Sequence, residues 1–214
     1  MAIEDVSLTT LLRTIAAGDG EAASRMLVAS PVLATARSAE GATRKVAGDY
    51  FLSDVGHHVY AGDTALHIAA AAYQVETVRM LIARGADVRA ANRRGAQPLH
   101  YAADGRPGSR TWHASAQAET VACLIESGAD PNAVDWSGVT PLHRAVRTRC
   151  EPAVRALLEA GADAQRLNKS GSTPMQLALS PTGRGGAGEP PAKAQQREII
   201  DLLHRHGGRG PNAR

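Results

Sequence analysis

The stretch Thr140-Pro141-Leu142-His143 opens a unit that the chain repeats, and Gly161-Ala162-Asp163 closes it. Similar tetrads begin at Thr64, Gln97 and Thr173, so successive tetrads start 33, 43 and 33 residues apart. An apolar stretch follows each tetrad and ends in glycine. The other closing motifs are Gly85-Ala86-Asp87, Gly128-Ala129-Asp130 and the remnant Gly207-Gly208. This self-similarity indicates a repeat protein, in which each unit buries its apolar face against its neighbours.

The residue types in each tetrad are those that begin an α-helix. Thr caps a helix by accepting a backbone N–H bond, and Pro at the first helical position loses no hydrogen bond. The closing glycines are suited to end the second helix of a unit in the left-handed conformation. The apolar stripe of the second helices comprises Val78, Leu81, Ile82, Val121, Leu124, Ile125, Val154, Leu157, Leu158, Ile199, Leu202 and Leu203.

Tetrad, closing motif and period together resemble the ankyrin-repeat family, whose unit is a β-turn followed by two helices over about 33 residues. The resemblance implies an all-α ankyrin-repeat solenoid of about five helix-turn-helix units with short finger turns, and we expect no sheet. It also implies that His67, His100 and His143 brace the turns through hydrogen bonds.

Four positions depart from the family pattern. Tyr73 and Arg149 stand where the family usually has a glycine between helices, Gln97 replaces the capping Thr, and Gln176 replaces the fourth His. These departures predict less regular helix turns and a weaker last unit.

We expect one ankyrin-repeat domain over residues 1–207 and a disordered tail over 208–214. Its predicted parts are a capping unit 7–35, an insert 36–62 and repeats 63–95, 96–138, 139–171 and 172–207. Further inserts are expected at 104–115 and at 180–194, the latter a flexible run rich in Gly and Pro.

The composition is 43% hydrophobic with only one Phe, two Trp and four Tyr, which predicts a core of Ala, Leu, Val and Ile. A net charge of +3 is too small to favour nucleic-acid binding. No apolar run reaches the roughly 18 residues of a membrane span, and the start lacks a basic leader. We therefore expect a soluble, cytoplasmic monomer.

Catalytic and cofactor motifs are weak. Gly183, Gly185 and Gly188 formally match a phosphate-binding pattern, but they follow a predicted helix and precede Pro190-Pro191, which favours a linker. No catalytic constellation can be localised, so we expect neither an enzyme nor a cofactor.

Metal binding has one minor candidate, the pair His57-His58 with His113 as a third ligand, although sequence neighbours seldom aim at one ion. We therefore predict no metal site. Cys123 and Cys150 match no ligand spacing and are expected to be reduced and structural.

The aromatic residues point to a binding surface. Tyr50, Phe51, Tyr60, Trp112 and Trp136 fall in inserts or finger turns, and Tyr101 follows a signature His on an inner helix. The resemblance implies that finger tips and inner helices line a concave face. Exposed Trp and Tyr dominate interface energies, but Trp136 and Phe51 could equally fold back as lids over the core.

The resemblance also implies that Arg93, Arg94, Arg144 and Arg147 lie on this concave face, with Arg149 near. Such a set is either a solvated face or a site for an acidic or mixed protein surface. We predict a non-catalytic protein-protein interaction module. An accessory, immunity or chaperone-like protein for a bacterial enzyme or toxin is the alternative, and a nucleic-acid binder is less favoured. The predicted partner-binding residues are Tyr60, Arg93, Arg94, Tyr101, Trp112, Trp136, Arg144 and Arg147.

Overall fold

A computed structural model describes residues 7–105, 112–180 and 190–210. The inner helices are α1 (Leu8–Ala16), α3 (Ala65–Ala71), α5 (Pro98–Ala103), α7 (Pro141–Arg147) and α9 (Pro174–Leu179). The outer helices are α2 (Gly20–Ala29), α4 (Val75–Ala83), α6 (Ala114–Glu126), α8 (Glu151–Glu159) and α10 (Pro190–Arg205). Each inner helix packs on the next inner helix, and each outer helix on the next outer one. The predicted all-α solenoid is confirmed.

The signature histidines connect consecutive units. The backbone N–H groups of Thr64, Gln97 and Thr140 donate to Nδ1 of the His three residues later, at 3.1, 3.1 and 3.3 Å. The Nε2 atoms of His67, His100 and His143 pair with the carbonyls of Ala96, Val139 and Ser172 in the following unit, at 3.2, 3.0 and 3.0 Å. The bracing role implied by the resemblance is confirmed.

Burial lowers the pKa of all three imidazoles, because a charged ring cannot be hydrated there. For His100, burial and then the charge of Arg144 bring the pKa to about 3. A neutral ring accepts at Nδ1 and donates at Nε2, which is the pattern that each brace needs.

Three of the four departures from the family pattern are accommodated, whereas the Gln97 side-chain oxygen is buried and has no hydrogen-bond partner among the described residues. Tyr73 and Arg149 adopt left-handed backbone conformations, with φ of 56° and 57°, as the usual glycine would. In the last tetrad, Gln176 Oε1 accepts the Thr173 backbone N–H at 2.8 Å and so replaces the imidazole. The turns therefore keep the repeat geometry, contrary to the expected irregularity.

One continuous apolar core runs from α1 to α10 and is built mainly of Ala, Leu, Val and Ile, as predicted. Gly85, Gly128 and Gly161 end α4, α6 and α8 with φ between 85° and 95°, also as predicted. Among the described residues, no helix is long and apolar enough to cross a membrane.

The insert 36–62 corrects the expectation of a protein without sheet. Strands β1 (Phe51–Leu52) and β2 (His57–His58) form a small antiparallel hairpin that turns at Gly56. Aromatic and β-branched residues favour extended backbone, and the buried side chains of Leu52, Val55 and Val59 join the main core. The hairpin is thus packed onto the solenoid.

The insert predicted at 180–194 is partly wrong as well, because α10 begins at Pro190. Proline is tolerated in the first turn of a helix, where N–H groups have no intrahelical partner. The phosphate-like glycines Gly183, Gly185 and Gly188, and residues 211–214 of the expected tail, lie outside the described residues.

Candidate functional site

A cavity of about 700 Å³ opens on the face formed by the inner helices and finger turns, which we call the concave face. Helices α5 and α7, the finger turns that precede them and the hairpin supply its walls. The side chains that give it chemical character are His57, Tyr60, Arg94, Tyr101, Arg144 and Arg147. The volume falls in the range of ligand sites, roughly 300–1,000 Å³.

Beneath the cavity lies a buried polar network. The Tyr101 hydroxyl donates to Asp63 Oδ2 at 2.9 Å, and the Asn92 amide donates to Asp63 Oδ1 at 2.8 Å and to the Tyr101 oxygen at 3.0 Å. The backbone N–H of Tyr60 donates to Asp63 Oδ2 at 2.7 Å. The buried carboxylate thus accepts from the Tyr101 hydroxyl, the Asn92 amide and the Tyr60 backbone, which holds Tyr101 in one orientation.

Tyr101 is only 2% exposed, so it forms the floor of the cavity and is not the exposed anchor that its sequence position indicated. His57 of β2 stacks on its ring at a centroid distance of 5.1 Å, and His67 meets the ring edge-on. Burial, together with the charge of Asp63, raises the pKa of Tyr101. The hydroxyl accordingly stays protonated and donates.

Two arginines of α7 are held by acids. Arg144 donates to Asp135 Oδ2 at 3.1 Å, with the two side chains 14% and 11% exposed. Burial disfavours ionisation of Asp135, but backbone N–H groups of Val139 and Ser137 and the charge of Arg144 outweigh it and lower the pKa. The Nη2 atom of Arg147 lies 3.6 Å from Asp104 Oδ1.

A second cationic cluster surrounds Tyr60, and its member Arg94 lines the cavity. The Arg94 guanidinium sits 4.9 Å from the Tyr60 ring centroid and donates to the Tyr60 hydroxyl at 2.9 Å. Arg93 lies 5.6 Å from the same ring and donates to the Ala42 carbonyl. Among the described residues, no carboxylate pairs with either guanidinium within 4 Å.

Trp136 lies beside the cavity on the finger turn before α7. Its side chain is 67% exposed, while its backbone N–H donates to the Arg94 carbonyl and its Nε1 to the Arg93 carbonyl, both at 2.9 Å. The ring lies over Gly95, where a Cβ would come within 3.1 Å of it. The indole is thus fixed at its polar edge and open on its face.

The other predicted aromatics lie differently. Trp112 is half-buried against the core and donates from Nε1 to Gln117 Oε1 at 2.8 Å, and it is not among the cavity residues. Phe51 is 44% exposed and packs on His58, while Arg149 is buried. The predicted set therefore divides: Tyr60, Arg94, Tyr101, Arg144 and Arg147 line the cavity, Arg93 and Trp136 lie beside it against Tyr60 and Arg94, and Trp112 packs against the core instead.

Sequence reasoning missed the finger-turn residues Asn92, Asp135 and Asn168. In each, side-chain Oδ1 accepts the backbone N–H groups two and four residues later. Their spacing of 43 and 33 residues follows the tetrads and was the signal that could have revealed them. Asn92 and Asp135 also line the cavity.

Within the described ranges, no group of three or more His, Cys, Asp or Glu residues could hold a metal ion. His57 and His58 face different rings, Tyr101 and Phe51 respectively. Cys123 and Cys150 are buried free thiols, and burial raises the pKa of Cys150 to about 11, which keeps it protonated.

The sequence model for ankyrin repeats in three copies matches residues 47–110 and 111–185, which is more than half of the chain. The chain belongs to the ankyrin-repeat family. No curated protein matches it. Ankyrin repeats are generic protein-protein interaction modules and are typically not catalytic.

Proposed function

We propose that this ankyrin-repeat protein is a non-catalytic interaction module that binds a protein partner at its concave face. The observation that carries the proposal is the cavity of about 700 Å³ whose lining includes Arg94, Arg144 and Arg147. Pockets in which a few polar groups are fixed by the scaffold are the usual form of a specific site.

Charge favours an acidic or mixed partner surface. Asp135 and Asp104 each face one arginine of α7, whereas Arg93 and Arg94 face the Tyr60 ring. The face therefore keeps an excess of positive charge, which selects acidic partners and accelerates their encounter.

Trp136 supplies the apolar anchor. Its polar edge is already bonded within the protein, so the exposed face of the indole can be covered by a partner without stranding the Nε1 donor. Because Trp136 is 67% exposed, it covers little of the core, which argues against a role as a lid.

Affinity capture from the source organism, followed by mass spectrometry and titration of the captured protein, tests the proposal. We expect Trp136→Ala to weaken partner binding by about 2 kcal/mol, or roughly 30-fold. Arg155→Leu, on the outer helix α8, is the matched surface control and should bind normally. If Trp136→Ala lowers the melting temperature without changing affinity, Trp136 is a lid. A captured partner that binds outside the concave face would refute the proposed site.

The identity of the captured protein also separates the alternatives. A signalling partner supports an adaptor, and an enzyme or toxin whose activity is changed by binding supports an accessory or immunity protein.

A further inference from the structure

The hairpin of the insert occupies part of the concave face. His57 stacks on Tyr101 of α5, and residues 56–58 line the cavity. A polypeptide that lay along the inner helices from α7 toward α3 would meet β2 above Tyr101. The hairpin therefore closes the cavity on the side that faces α3.

This wall is anchored at several points. The Arg93 guanidinium donates to the Ala42 carbonyl, and the Ser38 backbone N–H donates to the Asp63 carbonyl at 2.7 Å. Leu52, Val55 and Val59 are buried in the core. Displacing the hairpin would expose these apolar side chains, so a ligand is expected to stop at it.

The chemistry at the closed side suits one carboxylate. Arg144 is nearly buried and lines the cavity, and within the part of the chain that the structure describes its guanidinium donates one of its five N–H groups, to Asp135. Arg94 also lines the cavity and has no acid partner among the described residues. Asp104 and Asp135 share the cavity with Arg94, Arg144 and Arg147, so the lining carries one net positive charge, which a single carboxylate neutralises.

We infer that the cavity binds the C-terminal carboxylate of a partner polypeptide, with Arg144 and Arg94 as its donors and the hairpin as the wall at which the bound chain ends. This inference rests on the proposed function and specifies its ligand. A chain terminus fits because it supplies a single carboxylate and needs no exit, while an internal acidic segment would have to continue past β2.

The test uses an array of random octapeptides synthesised twice, with a free C-terminal carboxylate and with a C-terminal amide. The full chain should bind a set of free-carboxylate peptides and lose at least 10-fold in affinity for their amidated twins. Arg144→Leu should abolish this difference, so that both forms bind equally weakly, because the amide and the substitution remove the same interaction.

Leu already occupies the equivalent repeat position at Leu177, so Arg144→Leu is compatible with the helix. Arg94→Gln, on a finger turn, is a second variant and should shrink the difference between the two peptide forms. Arg155→Leu is the matched control and should retain it in full.

Equal binding of the free and amidated peptides, with Asp or Glu enriched, would overturn the inference in favour of side-chain recognition and leave the proposed function intact. A difference that persists in Arg144→Leu, or no binding in either arm, would also overturn it. The proposed function fails separately, through the capture and Trp136→Ala measurements.

Discussion

Replacing Tyr101 by Phe tests whether the buried network supports the floor of the cavity. Tyr101→Phe keeps the ring that stacks on His57 and removes only the hydroxyl. That hydroxyl donates to Asp63 and accepts from Asn92, and all three residues are buried.

The expected loss follows from the nature of the deleted bond. A hydrogen bond to a charged group contributes about 1.5–3 kcal/mol net, and the buried carboxylate would keep its other donors, Asn92 and the Tyr60 backbone, but gain no replacement for the hydroxyl. We therefore expect the free energy of unfolding to fall by about 2 kcal/mol.

The chain offers a matched control in Tyr50, whose hydroxyl also donates to a carboxylate, Glu40 Oε2, at 2.9 Å, but at the surface. Tyr50→Phe should change stability little, because water replaces the lost partner. Urea unfolding of both variants, followed by far-ultraviolet circular dichroism, gives the comparison. Equal effects of the two substitutions would refute the argument that burial makes the Tyr101–Asp63 bond important.

Three further outcomes are expected. The pKa of His100 falls from about 6.5 in the unfolded chain to about 3 in the folded protein, so the unfolded chain takes up the proton first and stability is lost as the pH falls below 6.5. His100→Gln, which copies Gln176, should therefore reduce the slope of unfolding free energy against pH by about 1.4 kcal/mol per pH unit between pH 4 and 6. An unchanged slope in urea titrations would contradict this. Gly95→Ala should destabilise more than Gly171→Ala, since both need positive φ but only the former places a Cβ within 3.1 Å of Trp136; equal melting temperatures would disprove the contact. Duplex DNA should bind only weakly, and submicromolar binding that survives about 200 mM salt would revive the nucleic-acid alternative.

The helices were predictable because their determinants are local and repeated. Thr140 caps α7 and Pro141 is its first residue, and similar signals recur at intervals of 33 or 43 residues. Gln176 was expected to weaken the last unit, but its amide oxygen accepts from the Thr173 backbone N–H, which is equivalent to the Thr140 N–H that bonds His143. Local capping signals and the repeat period were therefore enough to predict the solenoid.

The cavity was predicted only in outline because its geometry depends on distant pairings. Asp63 and Tyr101 lie 38 residues apart, and whether Tyr101 is an exposed anchor or a buried floor depends on that bond and on the hairpin above it. The hairpin itself occurs once, in an insert that has no repeat to compare it with. Trp112 was predicted as a site residue from its residue type and its position in an insert, but its side chain packs against the core.

One repeat position explains why the cavity lies between α5 and α7. The residue directly after the signature His or Gln is Ile68 in the first unit, Tyr101 in the second, Arg144 in the third and Leu177 in the fourth. Only the two central units carry polar side chains there, and both of these side chains line the cavity. The position before the His carries Leu66, Leu99 and Leu142, all fully buried, so one helix face is reserved for the core. Because the scaffold positions stay apolar in every unit, the chemistry of the concave face can change at the adjacent position without altering the packing that holds the units together.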